Sequence, residues 1–328
     1  MTIDVLTPEL KKYATPRQGE YIDAVLKLGS NAKVAEAFGV GRRTVDRAVN
    51  AAKRAAIEAG VIIPSDDSPK VLFLDIETAP LLGYLWSIWQ DGIAPSQVVS
   101  DWYILTWSAK WADSDKMLYA TMFENKGYRP GSEDDGPAVR KLWSLLNEAD
   151  YVITHNGNKF DLKKINTRFL VHGLGPPNPY KSIDTLRIAK GAFGFTSNKL
   201  EFIAQVLLKE GKLETGGMKL WQQCLAGDAE AWGDMLAYNQ QDVLLLEKVY
   251  YKLRAWDKMH PNFAVHSNKE VLSCTVCGSE NVKPTGDTVK TPTGAYLGYV
   301  CKDCNHQMRG MTNVRTYAQT QSTLRNAL

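Results

Sequence analysis

Residues 71–80 read VLFLDIETAP. Val71, Leu72, Phe73 and Leu74 are β-branched, aliphatic or aromatic, the composition of a buried central strand. That run leads into two acids one residue apart, Asp75 and Glu77. Side chains two positions apart on a strand leave by the same face, so the two carboxylates project together, about 6–7 Å apart at the backbone from a rise of ~3.3 Å per residue. Like charges on one face repel, and each is costly to desolvate. A divalent cation between them relieves both costs, and Mg²⁺ and Mn²⁺ prefer oxygen ligands. The plainer reading is a strand that surfaces in solvated acids and closes at Pro80, so the choice falls to the rest of the chain.

Strand and helix patterns alternate after this point. DWYILTWSAKWA and KMLYATMFE read as two further strands paired antiparallel to the first, and YVITHN as a short one. GPAVRKLWSLLNEA is amphipathic, with Val139, Leu142, Leu145 and Leu146 near helical spacing. FDLKKINTRFLVHG reads as a helix ended by Gly173, and SIDTLRIAKG and SNKLEFIAQVLLK open with capping residues. DAEAWGDMLAYNQQDVLLLEKVYYKLRAW gives one long helix or two joined. Strands followed by helices crossing to a further strand indicate a mixed α/β sheet.

Two more acids fall on these elements. Asp161 stands at a helix start just after the strand ending at His155-Asn156-Gly157, where it faces the end of the first strand or simply complements the helix dipole. Tyr238 and Asp242 are four apart and share a helix face. That face continues into Leu245, Leu246 and Val249, so a Tyr and an Asp on it need partners. A metal with its waters supplies them, as does a local Tyr–Asp bond.

Taken together, LDIET, NGNKFD and YNQQD resemble the three exonuclease motifs of the Tyr-containing branch of the DEDD superfamily, over about residues 70–255 and in the same order. The resemblance is to the proofreading 3′–5′ exonuclease domain of family B DNA polymerases and to stand-alone phage and bacterial exonucleases. It implies a ribonuclease H-like mixed sheet flanked by helices. It also implies a two-metal phosphodiester hydrolase on two Mg²⁺ or Mn²⁺ ions, held by Asp75, Glu77, Asp161 and Asp242, with Tyr238 on the attacking water. Thr78, Asn156, Gly157 and Phe160 match family positions at the terminal nucleotides. Asp184, in an Asp-Thr junction the family shares, reads as a helix cap rather than a ligand. The few residues after the last motif are too short for a polymerase module.

The flanks differ in character. The 328 residues carry 39 Lys+Arg and 36 Asp+Glu. Residues 1–66 hold ten cations against eight acids, 67–261 hold 22 against 24, and 262–328 hold seven against four. A slightly acidic middle between basic ends suits a metal site flanked by elements that approach a polyanion. No apolar run has membrane-spanning length and no signal peptide opens the chain, which reads as cytoplasmic, or host-cytoplasmic for a phage protein.

Before residue 60 the pattern is helical throughout. Gly39 stands where a left-handed residue turns the chain, Val40 tucks between helices, and Gly41 caps the next helix. Arg42, Arg43, Thr44 and Arg47 open that helix in the manner of a helix-turn-helix. The alternative is a three-helix bundle with a solvated basic face. Turn residues at 60–70 and the end of the helical pattern near His260-Pro261 set expected boundaries of 1–66, 67–261 and 262–328.

In the last segment Cys274-x-x-Cys277 and Cys301-x-x-Cys304, 23 residues apart, have the spacing of a tetrahedral Zn²⁺ site in a zinc ribbon. Cys224 has no such partner and reads as structural. The expected partner is nucleic acid, DNA before RNA, with a replication or recombination protein as a further candidate and no membrane. The rival functions are a ribonuclease or structure-specific nuclease of the same fold, and a non-catalytic DNA-binding protein.

Overall fold

A computed structural model describes residues 8–59, 68–211, 216–267 and 271–324. The expected first boundary falls largely on 60–67, outside the described residues. The chain divides into two compact units, one reaching to Ser68, the other formed by Pro69–Val265 and Val271–Leu328.

The N-terminal unit holds helices α1 (Pro16–Leu28), α2 (Asn31–Ala37) and α3 (Arg42–Glu58), preceded by a 3₁₀ turn at Pro8–Tyr13. Helix α1 starts on a reciprocal capping box, Thr15 with Gln18, and α2 on the Ser30 hydroxyl. Between α2 and α3, Gly39 has φ 62°, and the Val40 N–H donates to Ala35 O while its side chain joins the core of Ile22, Val34, Val45 and Val49. Gly39 and Val40 thus take the left-handed conformation and the inter-helix packing expected of them. Arg42, Arg43, Thr44 and Arg47 are all exposed on the first turns of α3, with Arg42 3.7 Å from Asp46.

The second unit is built on a five-stranded mixed sheet. Its strands are β1 (Val71–Thr78), β4 (Ile104–Trp111), β5 (Met117–Thr121), β6 (Tyr151–Thr154) and β7 (Lys181–Asp184), in the order β5-β4-β1-β6-β7. Strands β2 (Leu82–Gly83) and β3 (Val98–Ser100) form a separate small pair. β1 is central, antiparallel to β4 and parallel to β6, which is why its first four residues are buried on both faces. Helices α4 (Gly136–Glu148) and α5 (Asp161–Val171) cover one face with Leu72, Leu74, Val139, Leu142 and Ile165. On the other face, α6 (Thr185–Ala192), α7 (Leu200–Leu208) and α9 (Ala229–Leu253) pack Phe73, Ile153, Ile203, Leu246 and Tyr250, and α8 (Met218–Leu225) precedes α9. This is the ribonuclease H-like mixed sheet flanked by helices.

The segment expected as one helix or two is the single helix α9, capped by Asp228. The sheet core continues past residue 261, because Phe263 packs 4.5 Å from the Tyr151 ring. Strands β8 (Val282–Thr291), β9 (Gly294–Cys301) and β10 (Gln307–Asn313) then form an antiparallel three-stranded sheet, followed by a short helix α10 (Tyr317–Gln321). Among the described residues no helix is long and apolar enough to cross a membrane.

Candidate active site and metal centres

β1 carries Asp75 and Glu77 to the C-terminal half of the central strand, and the pairing register with β4 shifts just after Glu77. α9 delivers Asp242 to the same place. One carboxylate oxygen from each of Asp75, Glu77 and Asp242 lies within 4.8 Å of the others. All three donors are hard oxygens, and oxygen-rich sites of this kind suit Mg²⁺ or Mn²⁺. They floor a cleft of about 720 Å³ that is also lined by Asn156, Phe160, Asp161 and Tyr238.

Asp161 lines the cleft but is not one of the close triplet. It sits at the first position of α5, is 3 % exposed, and its Oδ1 accepts the Ile76 N–H at 3.3 Å. Burial pushes its carboxyl up to about 7, with the Asp184 charge adding to the rise and the backbone N–H groups and Lys164 opposing it. The unfolded chain therefore sheds this proton near 3.8 while the folded chain keeps it to about 7. The stability penalty is absent at low pH, grows between those values, and is complete above about 7. At ~1.4 kcal/mol per pH unit it reaches on the order of 4 kcal/mol. Without added Mg²⁺ or Mn²⁺, Asp161→Asn should raise the melting temperature at pH 8 by roughly 5–10 °C. The gain should shrink as the pH is lowered toward 5. An unchanged or lower melting temperature at pH 8 would show that the buried charge costs nothing.

The loop after β6 is held by an acid that is not in the triplet. Asp184, at the end of β7, accepts the backbone N–H groups of Asn156 (2.9 Å), Asn158 (3.3 Å) and Leu186 (3.0 Å). The last of these caps α6, as its sequence position implied. Asn156 has φ 69°, a left-handed conformation that Asn tolerates. It faces the cleft, whereas Gly157 is buried beneath it. A Cβ on Gly157 would lie 2.2 Å from Thr154 Oγ1, so this glycine serves a close backbone approach rather than lining the cleft. Thr78 lines an adjoining hollow of about 520 Å³ with Trp102, Lys164 and Trp221.

Several residues that the motifs did not single out complete the site. Asn239, fully buried on α9, donates its Nδ2 to Asp75 Oδ2 at 2.7 Å and so fixes the central carboxylate. The signal was present in YNQQD, one position after Tyr238, but an Asn there carries no charge to betray it. Lys164 Nζ lies 3.2 Å from Thr78 Oγ1, 4.1 Å from the Trp102 ring centre and 4.8 Å from that of Phe160. Trp221 Nε1 donates to Thr78 O at 3.1 Å and its ring meets Tyr238 edge-on at 6.3 Å.

The four cysteines of the last segment form a second cluster, their Sγ atoms all within 4.8 Å. Cys274–Cys304 and Cys277–Cys301 Sγ separations are 3.6 Å each. Tetrahedral Zn²⁺ with bonds of about 2.3 Å spaces its sulfurs about 3.8 Å apart, whereas a disulfide needs about 2.0 Å. The donor set fits zinc. His306, the other nearby donor, turns its Nδ1 to the Ala255 carbonyl at 2.8 Å. Cys224 is buried, contacts Ala231 O, and burial pushes its thiol up to about 12, leaving it inert.

Among curated proteins no sequence matches. The solved structure of the family B DNA polymerase from the hyperthermophilic archaeon Pyrobaculum calidifontis is similar at 16 % identity with a TM-score of 0.43. That similarity covers 57 % of this chain and 25 % of the polymerase, so the chain spans about a quarter of that protein's length. Residues 72–254, from the start of β1 to the end of α9, match the family model described as the RNase_H superfamily. With more than half of its length inside that match, the chain belongs to the RNase_H superfamily.

Proposed function

We propose that this chain is a metal-dependent 3′–5′ exonuclease acting on DNA. The observation that carries the reading is the carboxylate triplet of Asp75, Glu77 and Asp242, brought within 4.8 Å from a strand and a helix far apart in sequence. Asp75 would be shared between two cation positions, Glu77 and Asp242 completing one and Asp161 serving the other, directly or through water. Mg²⁺ or Mn²⁺ at those positions supplies the charge that activates water and stabilises the leaving 3′ oxygen of an in-line displacement.

The side chains do the rest. Tyr238 hydrogen-bonds the attacking water with Glu77 assisting, Asn239 holds Asp75 in orientation, and Asn156 and Phe160 contact the terminal nucleotides, Phe160 by stacking. The product is a nucleoside 5′-monophosphate. The four cysteines hold one Zn²⁺ in a zinc ribbon, and α2–α3 act as a helix-turn-helix on DNA.

Digestion of end-labelled single- and double-stranded DNA and RNA with Mg²⁺, with Mn²⁺ and with EDTA tests the reading. Stepwise loss of 3′ nucleotides from DNA, abolished by EDTA, is the expected result. Preferential loss from RNA would make the chain a ribonuclease, and no cleavage of any strand would leave a nucleic-acid-binding protein. For the N-terminal unit, Arg43→Ala with Arg47→Ala should weaken duplex DNA binding. It should also lower the slope of log affinity against log salt by about 0.9 for each phosphate no longer neutralised. An unchanged slope would assign α3 to a protein partner.

A further inference from the structure

Between β1 and β4 the chain projects an arm for which the sequence patterns gave no element. Its root is closed by the Ala79 N–H donating to Tyr103 O at 2.9 Å, and its two short strands pair Leu82 with Ser100 and Gly83 with Val98. Gln97 binds both ends of the loop, donating to Tyr84 O at 2.8 Å and accepting the Ala94 N–H at 2.9 Å. Gln90 Oε1 accepts the Trp86 N–H at 3.1 Å. The arm's backbone is thus paired along much of its length, yet its rings face water: Trp86 is 93 % exposed, Trp89 86 % and Tyr84 76 %. Exposed apolar surface on this scale marks an interaction site.

The arm grows directly out of the candidate active site. Glu77 and Gly217 line both the acid cleft and the adjoining hollow, which continues through Pro80, Leu81 and Trp102 to the arm's base. Lys164 sits between the rings of Phe160 in the cleft and Trp102, which adjoins the Ala79–Tyr103 closure at the arm's root. Residues 79–103 contain no Lys or Arg. The arm therefore offers π faces and no cation, and Lys164 stands beside Trp102 at its root. Aromatic faces combined with a cation along a strand path are how single-stranded nucleic acid is held without reading its sequence.

We infer that Trp86, Trp89 and Tyr84 form a stacking platform for the bases of a single-stranded nucleic acid whose 3′ end lies in the acid cleft. This rests on the nuclease reading of that cleft and extends it from the terminal nucleotides to those upstream.

The test uses the full chain without added divalent ions, so that binding is read without hydrolysis. Oligothymidylates of about 4 and about 12 nucleotides bracket the usual site size of such platforms. In the wild type the longer oligomer should bind more tightly and quench tryptophan fluorescence. In the Trp86→Ala/Trp89→Ala double variant the ratio of long- to short-oligomer affinity should fall about ten- to hundred-fold, while Trp86→Phe retains most of it. Oligouridylates of the same lengths show whether the platform takes RNA as readily as DNA. An unchanged ratio in the double variant overturns the inference and leaves the arm to a protein partner. That result with a wild type that still degrades DNA leaves the nuclease reading intact; a wild type that binds neither length overturns the platform, and one that also cleaves nothing with Mg²⁺ or Mn²⁺ sinks both.

Discussion

Asp75→Ala should lower the nuclease rate at least ~10²-fold and leave the fold intact. In the proposed two-metal reading Asp75 is the carboxylate shared by both cation positions, and Asn239 holds it from 2.7 Å away. Loss of a ligand removes several kcal/mol of transition-state charge stabilisation, and each ~1.4 kcal/mol is a tenfold change in rate. Asp242→Ala should behave similarly, because it contributes the third oxygen of the triplet. Tyr238→Phe should cost less, since it removes one hydrogen bond and spares every carboxylate. The measurement is single-turnover cleavage of a labelled oligonucleotide, with circular dichroism to establish folding. Near-normal turnover by a folded Asp75→Ala chain would sink the two-metal reading.

The second large effect concerns the cysteine cluster. The buried apolar group of the C-terminal sheet consists of Cys274, Val276 and Cys301, flanked by Cys277, Val282, Cys304 and Met308. On the zinc reading the ligands make up most of this core, so little packed interior remains once the metal is removed. Structural zinc sites contribute apparent binding free energies of about 10–16 kcal/mol, which is folding free energy for the small domain around them. Cys301→Ser should therefore leave residues 271–313 exchange-competent on the seconds scale in hydrogen exchange while amides of β1 and α9 stay protected. Elemental analysis should find about one zinc per wild-type chain. Wild-type protein without zinc, or a Cys301→Ser chain with full protection in β9, would reject the ribbon.

The central strand, the acids on it and the cysteine knuckles were legible in the sequence because each is a local pattern. A continuous apolar run, a two-residue spacing and two C-x-x-C pairs need no knowledge of what they meet. Asp242 was legible through its helical spacing from Tyr238. Asn239, Lys164 and Trp221 were not, because their roles arise only when α9, α5 and α8 reach β1, and a single uncharged or solvated residue carries no periodic signal. For Gly157 the motif implied substrate contact, and the fold adds a second reason for a glycine that the motif did not carry: a Cβ there would strike Thr154. The arm at 82–100 escaped because its strands are only two and three residues long and its apolar side chains face water, the reverse of the alternation that marks a strand.

The hydrogen bond from Asn239 to Asp75 joins residues 164 positions apart, and that separation is also an interval of time. A ribosome adds ~5–20 residues per second, so roughly 10–30 s pass between the emergence of Asp75 and that of the residues that complete its site. Through that interval the nascent chain displays Asp75 and Glu77 without Asp242, and a product that terminates before α9 never completes the triplet. On the proposed nuclease reading, a chain that stops short of α9 is therefore inactive, because the third oxygen of the triplet arrives only with Asp242.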